Sequence, residues 1–172
     1  MTTLSALTGA YTLDPARTRI GFTARHTMAS RVHGHFTSFD AHAYLDGETP
    51  TNSTIDLTIH THSLHTHNPQ RDQHLLTHFL GLADHPTITL TATEVRQRTP
   101  TSLTLTANLT IRATTRPITL DLHYRPTDDG PHVKAALTIN RHDWHVNWNA
   151  ATTLLVRPNV TLELDAIATR RP

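Results

Sequence analysis

An alternation of apolar and polar residues recurs along this chain and constrains its fold more than any other feature. Residues 103–111, LTLTANLTI, show it most clearly, because every second residue is apolar. The same period appears at residues 20–24, 55–59, 118–122 and 160–164. Successive side chains of a β-strand point to opposite faces, so each stretch predicts a strand with one apolar side. Together they predict one antiparallel sheet that encloses its own apolar face.

Turn-forming residues separate these stretches and limit the predicted strands. They lie at Asp46-Gly47, Thr99-Pro100 and Asp128-Asp129-Gly130. Strands are predicted at residues 11–14, 18–27, 31–46, 53–62, 87–97, 102–113, 116–126, 132–140 and 158–168. Nine strands are enough to close a barrel, and closure removes the long unpaired edges that promote aggregation. We predict an all-β fold, an extended antiparallel β-barrel.

Two segments do not alternate. Residues 68–82, NPQRDQHLLTHFLGL, carry apolar side chains at the i, i+3, i+4 and i+7 spacing of an amphipathic helix. Asn68 suits the N-cap and Pro69 the first helical position. We predict one short helix here, capping an end of the barrel. Residues 140–158 are irregular and contain both tryptophans, which predicts a loop or lid over the other opening or beside the helix.

Composition and charge limit what the protein can do. The chain has 172 residues, a length that fits one domain over residues 1–172. Its 15 lysines and arginines nearly balance its 14 aspartates and glutamates and are scattered along the sequence, which argues against a nucleic-acid partner. Because cysteine is absent, thiol chemistry and thiolate metal sites are excluded.

The amino-terminal residues bear on localisation. The first ten, MTTLSALTGA, contain no cationic residue and no apolar run of signal-peptide length. No stretch of the sequence has the length and hydrophobicity of a transmembrane helix. These observations predict a cytoplasmic protein without an integral membrane segment.

The chain contains 15 histidines, which raise the question of a metal site. His74 and His78 stand one turn apart on the predicted helix, and His60 and His62 share one face of a predicted strand. Leu75 stands where zinc-binding HExxH helices carry their glutamate. Histidines also occur along many other segments, as expected of a general polar residue. We predict that the protein holds no metal and no other cofactor.

Arg71, Asp72 and His74 allow two interpretations. Asp72 could orient His74 as a general base. Alternatively, Asp72 complements the dipole at the first turn of the helix, while Arg71 ties the helix to the barrel rim. The sequence has no nucleophile elbow, glycine-rich phosphate loop or paired-carboxylate motif. We favour the structural interpretation, and the sequence argues against an enzyme without excluding one.

A series of motifs extends over nearly the whole chain. In order, they are YTLDP at 11–15, IGF at 20–22, His26, GHF at 34–36, THN at 66–68, RDQHL at 71–75, Phe79, HPTI at 85–88, LTI at 109–111, Thr114, Thr115, Arg116 and NRHDW at 140–144. In this order they resemble the motifs of the YceI-like polyisoprenoid-binding family. The chain departs from the family pattern at His145, where the family usually has glycine.

The resemblance implies a lipocalin-like barrel whose long apolar tunnel holds an isoprenoid chain. Together with the alternation, it predicts that ligand contacts the inward side chains of the strands, the helix and the late loop. These residues are Ile20, Phe22, Phe36, Leu57, Ile59, Leu75, Phe79, Leu90, Leu105, Leu109, Leu120, Leu122, Leu137, Trp144 and Trp148. The motif residues expected at the tunnel rim are Arg71, Asp72, His74, Arg141 and Asp143.

Two functions of different classes fit these expectations. The first is a cytosolic binding protein that stores, shields or transports an isoprenoid or another long-chain apolar ligand. The second is a cofactor-free isomerase or cyclase that folds a hydrophobic intermediate in the same chamber. The lack of a recognisable acid-base constellation favours the binding protein. The sequence leaves a homodimer open.

Overall fold

Residues 3–26, 30–147 and 156–171 are described by a computed structural model. The strands are β1 (Gly9–Leu13), β2 (Arg19–Arg25), β3 (Arg31–Phe36), β4 (Phe39–Leu45), β5 (Thr54–His60), β6 (Leu64–His65), β7 (Thr87–Thr99), β8 (Ser102–Ile111), β9 (Thr114–Arg125), β10 (His132–Asn140) and β11 (Asn159–Arg170). Helix α1 (Pro69–His74) continues directly into a π-helical turn, Leu75–Phe79. Among several short 3-10 turns, Leu4–Leu7 and Arg141–Trp144 matter most for the site.

The strands occupy eight positions around a closed antiparallel barrel. Three positions are interrupted strands, in which β1 is followed by β2, β3 by β4, and β5 by β6. Neighbouring positions follow chain order. The last strand, β11, closes the barrel by pairing with β2 through residues 161–165 and with β1 through residues 168–170. The prediction of an all-β barrel with one short helix is confirmed.

The stretch predicted as one strand at residues 31–46 forms two strands, because its halves have different neighbours. β3 pairs with β2 and β6, whereas β4 pairs with β1 and β5. At the break, the Thr37 N–H donates to the carbonyl of Ser63 at 3.4 Å, and the Ser38 carbonyl accepts from the His60 N–H at 3.0 Å. The interruption thus lets residues 31–45 pair with two different sets of neighbouring strands in the barrel wall.

The interior consists of two apolar clusters, one toward each end of the barrel. The first, at what we call the turn end, contains Leu4 and Leu7 of the amino-terminal turn with Leu103 and Leu105 of β8. The second, at the helix end, is larger and unites Leu76 of the π-turn and Trp144 with inward residues of most strands. The alternation predicted for β8 is observed, since all five of its alternating apolar residues are buried.

The amino-terminal turn is held over the turn end by hydrogen bonds between side-chain hydroxyls and main-chain groups. The Tyr11 hydroxyl donates to the carbonyl of Leu7 at 2.6 Å. The Gly47 N–H donates to the Thr8 hydroxyl at 2.9 Å. A Cβ atom at Gly47 would lie only 2.0 Å from the carbonyl oxygen of Leu4, so this close approach requires glycine.

The predicted helix is present, with one difference in its second half. The Asn68 side chain caps α1 by accepting from the Arg71 N–H at 3.0 Å, and Pro69 occupies the first turn, as predicted. After His74 the Leu80 N–H donates to the carbonyl of Leu75 at 2.9 Å, five residues back, which makes this turn a π-turn. Within the described residues, no helix is long and apolar enough to cross a membrane.

Candidate functional site

A cavity of about 270 Å³ lies inside the barrel and extends between its two ends. At the turn end it is lined by Leu4, Leu7 and Leu103, and toward the helix end by Leu109 and Ile111. Leu103 and Ile111 lie eight residues apart on β8, a distance of about 26 Å along a strand. Most of the lining side chains are aliphatic or aromatic. The cavity is therefore a long apolar chamber.

Several leucines on the inner face of the barrel are only half-buried, although they point away from bulk solvent. Leu57, Leu90 and Leu137 belong to this group and all line the cavity. Leu120 on β9 packs against both apolar clusters and also lines the cavity. These side chains are accessible because they face empty space where a filled core would place an opposing side chain. The barrel interior is therefore not packed solid along its length.

Ten of the fifteen residues that we expected to contact ligand line this cavity. They are Ile20, Phe36, Leu57, Ile59, Leu90, Leu105, Leu109, Leu120, Leu122 and Leu137. Four others, Phe22, Leu75, Phe79 and Trp144, are not among the residues that line it. Trp148 lies outside the described residues. Ligand contact by the ten lining residues stays a prediction, and the other four have packing environments that account for their positions.

Phe22 shares the inner face of β2 with Ile20 and packs against the interior cluster, but it lies over the adjacent strand and is not among the residues that line the cavity. It pairs with Gly34 in register, and a Cβ atom at Gly34 would lie 2.3 Å from Cζ of Phe22. The ring also contacts Phe36, with the two ring centroids 5.9 Å apart. Gly34 thus provides the space that the Phe22 ring occupies, and Phe36 presents the aromatic surface to the cavity.

Leu75, Phe79 and Trp144 belong to the elements at the helix end of the barrel. The Trp144 indole N–H donates to the carbonyl of Leu109 at 2.9 Å, and the tryptophan is 4% exposed. Leu75 packs against the same apolar cluster. Phe79 is buried, and its ring centroid lies 5.8 Å from that of His74. These residues anchor the elements that cover the barrel end.

The rim residues Arg71 and Asp72 converge on Thr66, in the segment that connects β6 to α1. The Asp72 carboxylate accepts the Thr66 N–H at 2.9 Å and also accepts the Thr66 hydroxyl. Arg71 donates to the Thr66 hydroxyl at 2.9 Å and to the Thr66 carbonyl at 2.5 Å. Asp72 Oδ2 lies 3.6 Å from Nδ1 of His65, which belongs to β6. The pair therefore fixes the start of the helix to the strand before it.

Arg141 is a buried cation, 3% exposed, that joins two parts of the chain. It donates to the carbonyl of Val146 at 2.7 Å on one side. On the other side it donates to the carbonyls of Val156 at 2.8 Å and Arg157 at 3.2 Å. Burial holds the pKa of Arg141 below its usual value. The planar guanidinium, whose N–H donors have a fixed geometry, therefore holds Val146 to the segment that contains Val156 and Arg157.

Asp143, in contrast, is exposed and takes part in a long ion pair with Arg116, whose Nη1 lies 3.8 Å from the Asp143 carboxylate.

His145 ends the 3-10 turn Arg141–Trp144 in the left-handed region, with φ of 59° and ψ of 28°. Glycine adopts this conformation without strain. The geometry explains why a glycine suits this position in the family pattern.

The histidines form small groups instead of one site. The rings of His74 and His78 have centroids 4.8 Å apart. Within residues 3–26, 30–147 and 156–171, no group of three or more histidines and acidic residues has the arrangement of a metal site. The imidazoles of His35, His65 and His67 form a group in which the ring centroids are 5.8 to 6.1 Å apart.

Sequence reasoning missed one feature of the histidine group around His35 and one feature of the cavity. His35 Nδ1 is buried and has no hydrogen-bond partner among the described residues. Burial first, and then the charges of Arg19 and the neighbouring histidines, lower the pKa of His35. Leu4 and Leu7 line the turn end of the cavity, in a segment for which the sequence predicts neither a strand nor a site residue. Their i, i+3 spacing was the available signal for a buried helical turn.

A closed, up-and-down antiparallel barrel of eight positions around an apolar chamber defines the class of lipocalin-like barrel proteins. The sequence pattern of the YceI-like domain matches residues 11–168. The chain therefore belongs to the YceI-like family.

The comparisons with individual proteins agree with this assignment. The protein YceI of Salmonella newport is 32% identical over 133 residues, which cover 76% of this chain and 69% of that protein. BcnA of Burkholderia cenocepacia has a similar structure, with a TM-score of 0.83 at 16% identity, covering 90% of this chain and 98% of BcnA. A polyisoprenoid-binding domain from Saccharophagus degradans gives a TM-score of 0.74 at 14% identity, covering 94% and 98%. At these identities the two structures show a shared fold.

Proposed function

We propose that this protein is a cytosolic binding protein that holds an isoprenoid or a similar long-chain amphiphile in its barrel, for storage, shielding or transport. The observation that carries the proposal is the apolar cavity that extends between the two ends of the barrel. Its volume of about 270 Å³ is slightly below the range of roughly 300–1,000 Å³ for small-molecule sites. A slender chain suits such a chamber better than a bulky ring system does.

The energetics favour a long ligand. Burial of each methylene group contributes about 0.8 kcal/mol. Ten to fifteen carbons therefore contribute roughly 8–12 kcal/mol before the association cost, which is about 4–15 kcal/mol. A short chain gains too little to bind. A long prenyl or acyl chain gains enough with few polar contacts, so the site would select by length and width more than by functional group.

The two tyrosine hydroxyls of the residues that line the cavity support binding over catalysis. The hydroxyls of Tyr11 and Tyr124 both donate to main-chain carbonyls, of Leu7 and Pro100 respectively. Burial raises the pKa of Tyr124, which disfavours its use as a base. These hydroxyls have structural partners. The geometry offers no specific support for the alternative of an isomerase or cyclase.

The domain from Saccharophagus degradans is described as polyisoprenoid-binding, which supports an isoprenoid as the first ligand to test. Native mass spectrometry of the purified protein, followed by organic extraction, tests the proposal. We expect adducts whose extracted component is a long-chain lipid, and stepwise-longer prenyl alcohols should bind increasingly well to delipidated protein. A protein that carries no lipid and binds none of the alcohols would overturn the proposal.

A further inference from the structure

A second concave site lies on the outside of the barrel, where β11, β2 and β3 run side by side. It has a volume of about 450 Å³. Three of its lining residues are Arg25 at the end of β2, Arg31 at the start of β3, and Arg157 just before β11. All three are exposed. We call this site the arginine groove.

The sheet brings two of these charges together. Arg25 and Arg31 are direct partners in the register of β2 and β3. Like charges directly opposite each other destabilise an antiparallel pair. Arg157 joins them because its N–H donates to the carbonyl of Arg25 at 2.8 Å. The fold thus concentrates three guanidinium groups, although the whole chain carries a formal net charge of only +1.

Carboxylates do not neutralise this concentration of charge. Among the described residues, none of the three arginines forms an ion pair, in contrast to Arg96 and Arg98 on β7, which pair with Glu94 and Asp121. Residues 27–29 and 148–155, which lie outside the described ranges, contain no aspartate or glutamate. Among the described residues, Glu163 is the one acidic residue that lines the groove, against three arginines. The groove therefore keeps an excess of positive charge.

The polar groups that complete the lining are suited to an oxyanion. Thr23, Thr161 and Asn159 line the groove beside the arginines. The Thr23 hydroxyl and Nδ1 of His33 are 2.9 Å apart and form a hydrogen bond across β2 and β3. Guanidinium groups bind phosphate oxygens in a bidentate manner, and several arginines together favour a ligand with more than one phosphoryl group.

We infer that the arginine groove is a binding site for a phosphate-class anion, with a diphosphate group as the ligand that best uses three guanidinium groups. The site is on the outer face of the wall whose inner face lines the cavity, so it is separate from the proposed lipid site. The same chemistry is offered by a free phosphate compound and by the headgroup of a phospholipid. An experiment with two arms distinguishes these sources.

In the first arm, sodium pyrophosphate is titrated into the full chain at low ionic strength and followed by calorimetry. We expect saturable binding that weakens as salt is added, because the charges are exposed. R25Q and R31Q should each weaken binding about tenfold, which corresponds to the loss of one charge-assisted contact. E163Q should strengthen it. The control R98Q removes an equal charge elsewhere on the barrel and should leave the affinity unchanged.

In the second arm, cosedimentation is measured with phosphatidylcholine vesicles that contain or lack phosphatidic acid. Pyrophosphate binding without vesicle binding identifies a free phosphate compound as the source. Binding only to the vesicles that contain phosphatidic acid, and its loss in the R25Q/R31Q double variant, identifies a lipid headgroup. Absence of binding in both arms, or binding that R98Q reduces as much as R25Q does, would overturn the inference. Circular dichroism confirms that each variant is folded.

Discussion

The Asp72 carboxylate accepts both the backbone N–H and the hydroxyl of Thr66, six residues earlier in the chain. Both residues are buried, at 9% and 2% exposure. A buried N–H without an acceptor costs about 1–3 kcal/mol. The contact therefore couples the start of α1 to β6, and through β6 to β3.

Replacement of Asp72 by alanine should lower the free energy of unfolding by about 1–3 kcal/mol, because the Thr66 N–H then loses its acceptor. Urea denaturation followed by circular dichroism measures the change. Asp72→Asn is the matched control, since an amide oxygen can still accept from Thr66, and it should lose less. If alanine and asparagine variants are equally stable, the hydrogen bonds to Thr66 are not what Asp72 contributes.

Arg141→Lys should destabilise the helix end of the barrel. Lysine keeps the positive charge but lacks the planar fork that reaches the carbonyls of Val146, Val156 and Arg157 together. One carbonyl left without a donor costs about 1–3 kcal/mol. Thermal unfolding should show a lower Tm. An unchanged Tm would mean that charge alone, and not the geometry of the guanidinium, holds these segments.

His145→Gly should preserve or raise stability, even though it removes a side chain. A left-handed conformation costs a residue with a Cβ atom about 1–2 kcal/mol, whereas glycine gives up roughly 0.5–1 kcal/mol of backbone entropy. The expected net gain is up to about 1.5 kcal/mol. His145→Ala keeps the Cβ atom and should show no gain. A glycine variant less stable than the alanine variant would contradict this account of the turn.

Stability should fall as the pH is lowered through the range in which His35 becomes protonated. Burial lowers the pKa of His35 in the folded protein, the charges of Arg19, His65 and His67 lower it further, and Asp72 opposes them. Between the unfolded value of 6.5 and the lower folded value, the unfolded chain binds more protons, so acidification favours unfolding. Above that range the contribution of His35 to stability is fully retained.

The comparison of parent and His35→Gln measures this effect. Urea unfolding at pH 7.5 and at pH 5 should show a smaller loss of stability on acidification in the variant, which has no imidazole to protonate at that position. Other histidines contribute equally to both proteins. Equal pH dependence in the two proteins would show that His35 is not the titrating group.

The local features of the fold were predictable because they depend on near neighbours in sequence. The alternation in residues 103–111 determines which face of β8 is buried, and the Asn68 cap depends on a residue three positions away. The interrupted strands were not predictable, because the break at Thr37 and Ser38 depends on pairing with four different strands.

The same distinction applies to the functional surfaces. Most strand residues expected in the chamber line it, since a period of two places them on the inner face. Phe22 is also on the inner face but does not line the chamber, because Gly34, on the neighbouring strand, leaves space for its ring. The arginine groove was hidden because Arg157 is distant in sequence from Arg25 and Arg31 and meets them only when β11 pairs with β2.

A substitution that fills the chamber tests the central claim most directly. Leu120→Trp places a large ring in the open space that both apolar clusters border, whereas Leu105, at 2% exposure, has little room for one. Thr119→Trp is the matched control, because Thr119 is the adjacent, exposed residue of the same strand. Overpacking costs about 1–3 kcal/mol, so a thermal melt must first show that both variants are folded.

The measurement is a fluorescence titration with cis-parinaric acid, a slender polyene fatty acid whose emission rises in apolar surroundings. The parent and Thr119→Trp should bind it with equal affinity, and Leu120→Trp should bind at least about tenfold more weakly, a loss of about 1.4 kcal/mol. Equal binding by a folded Leu120→Trp variant, or no binding by the parent, would contradict the claim that the barrel interior is a ligand chamber.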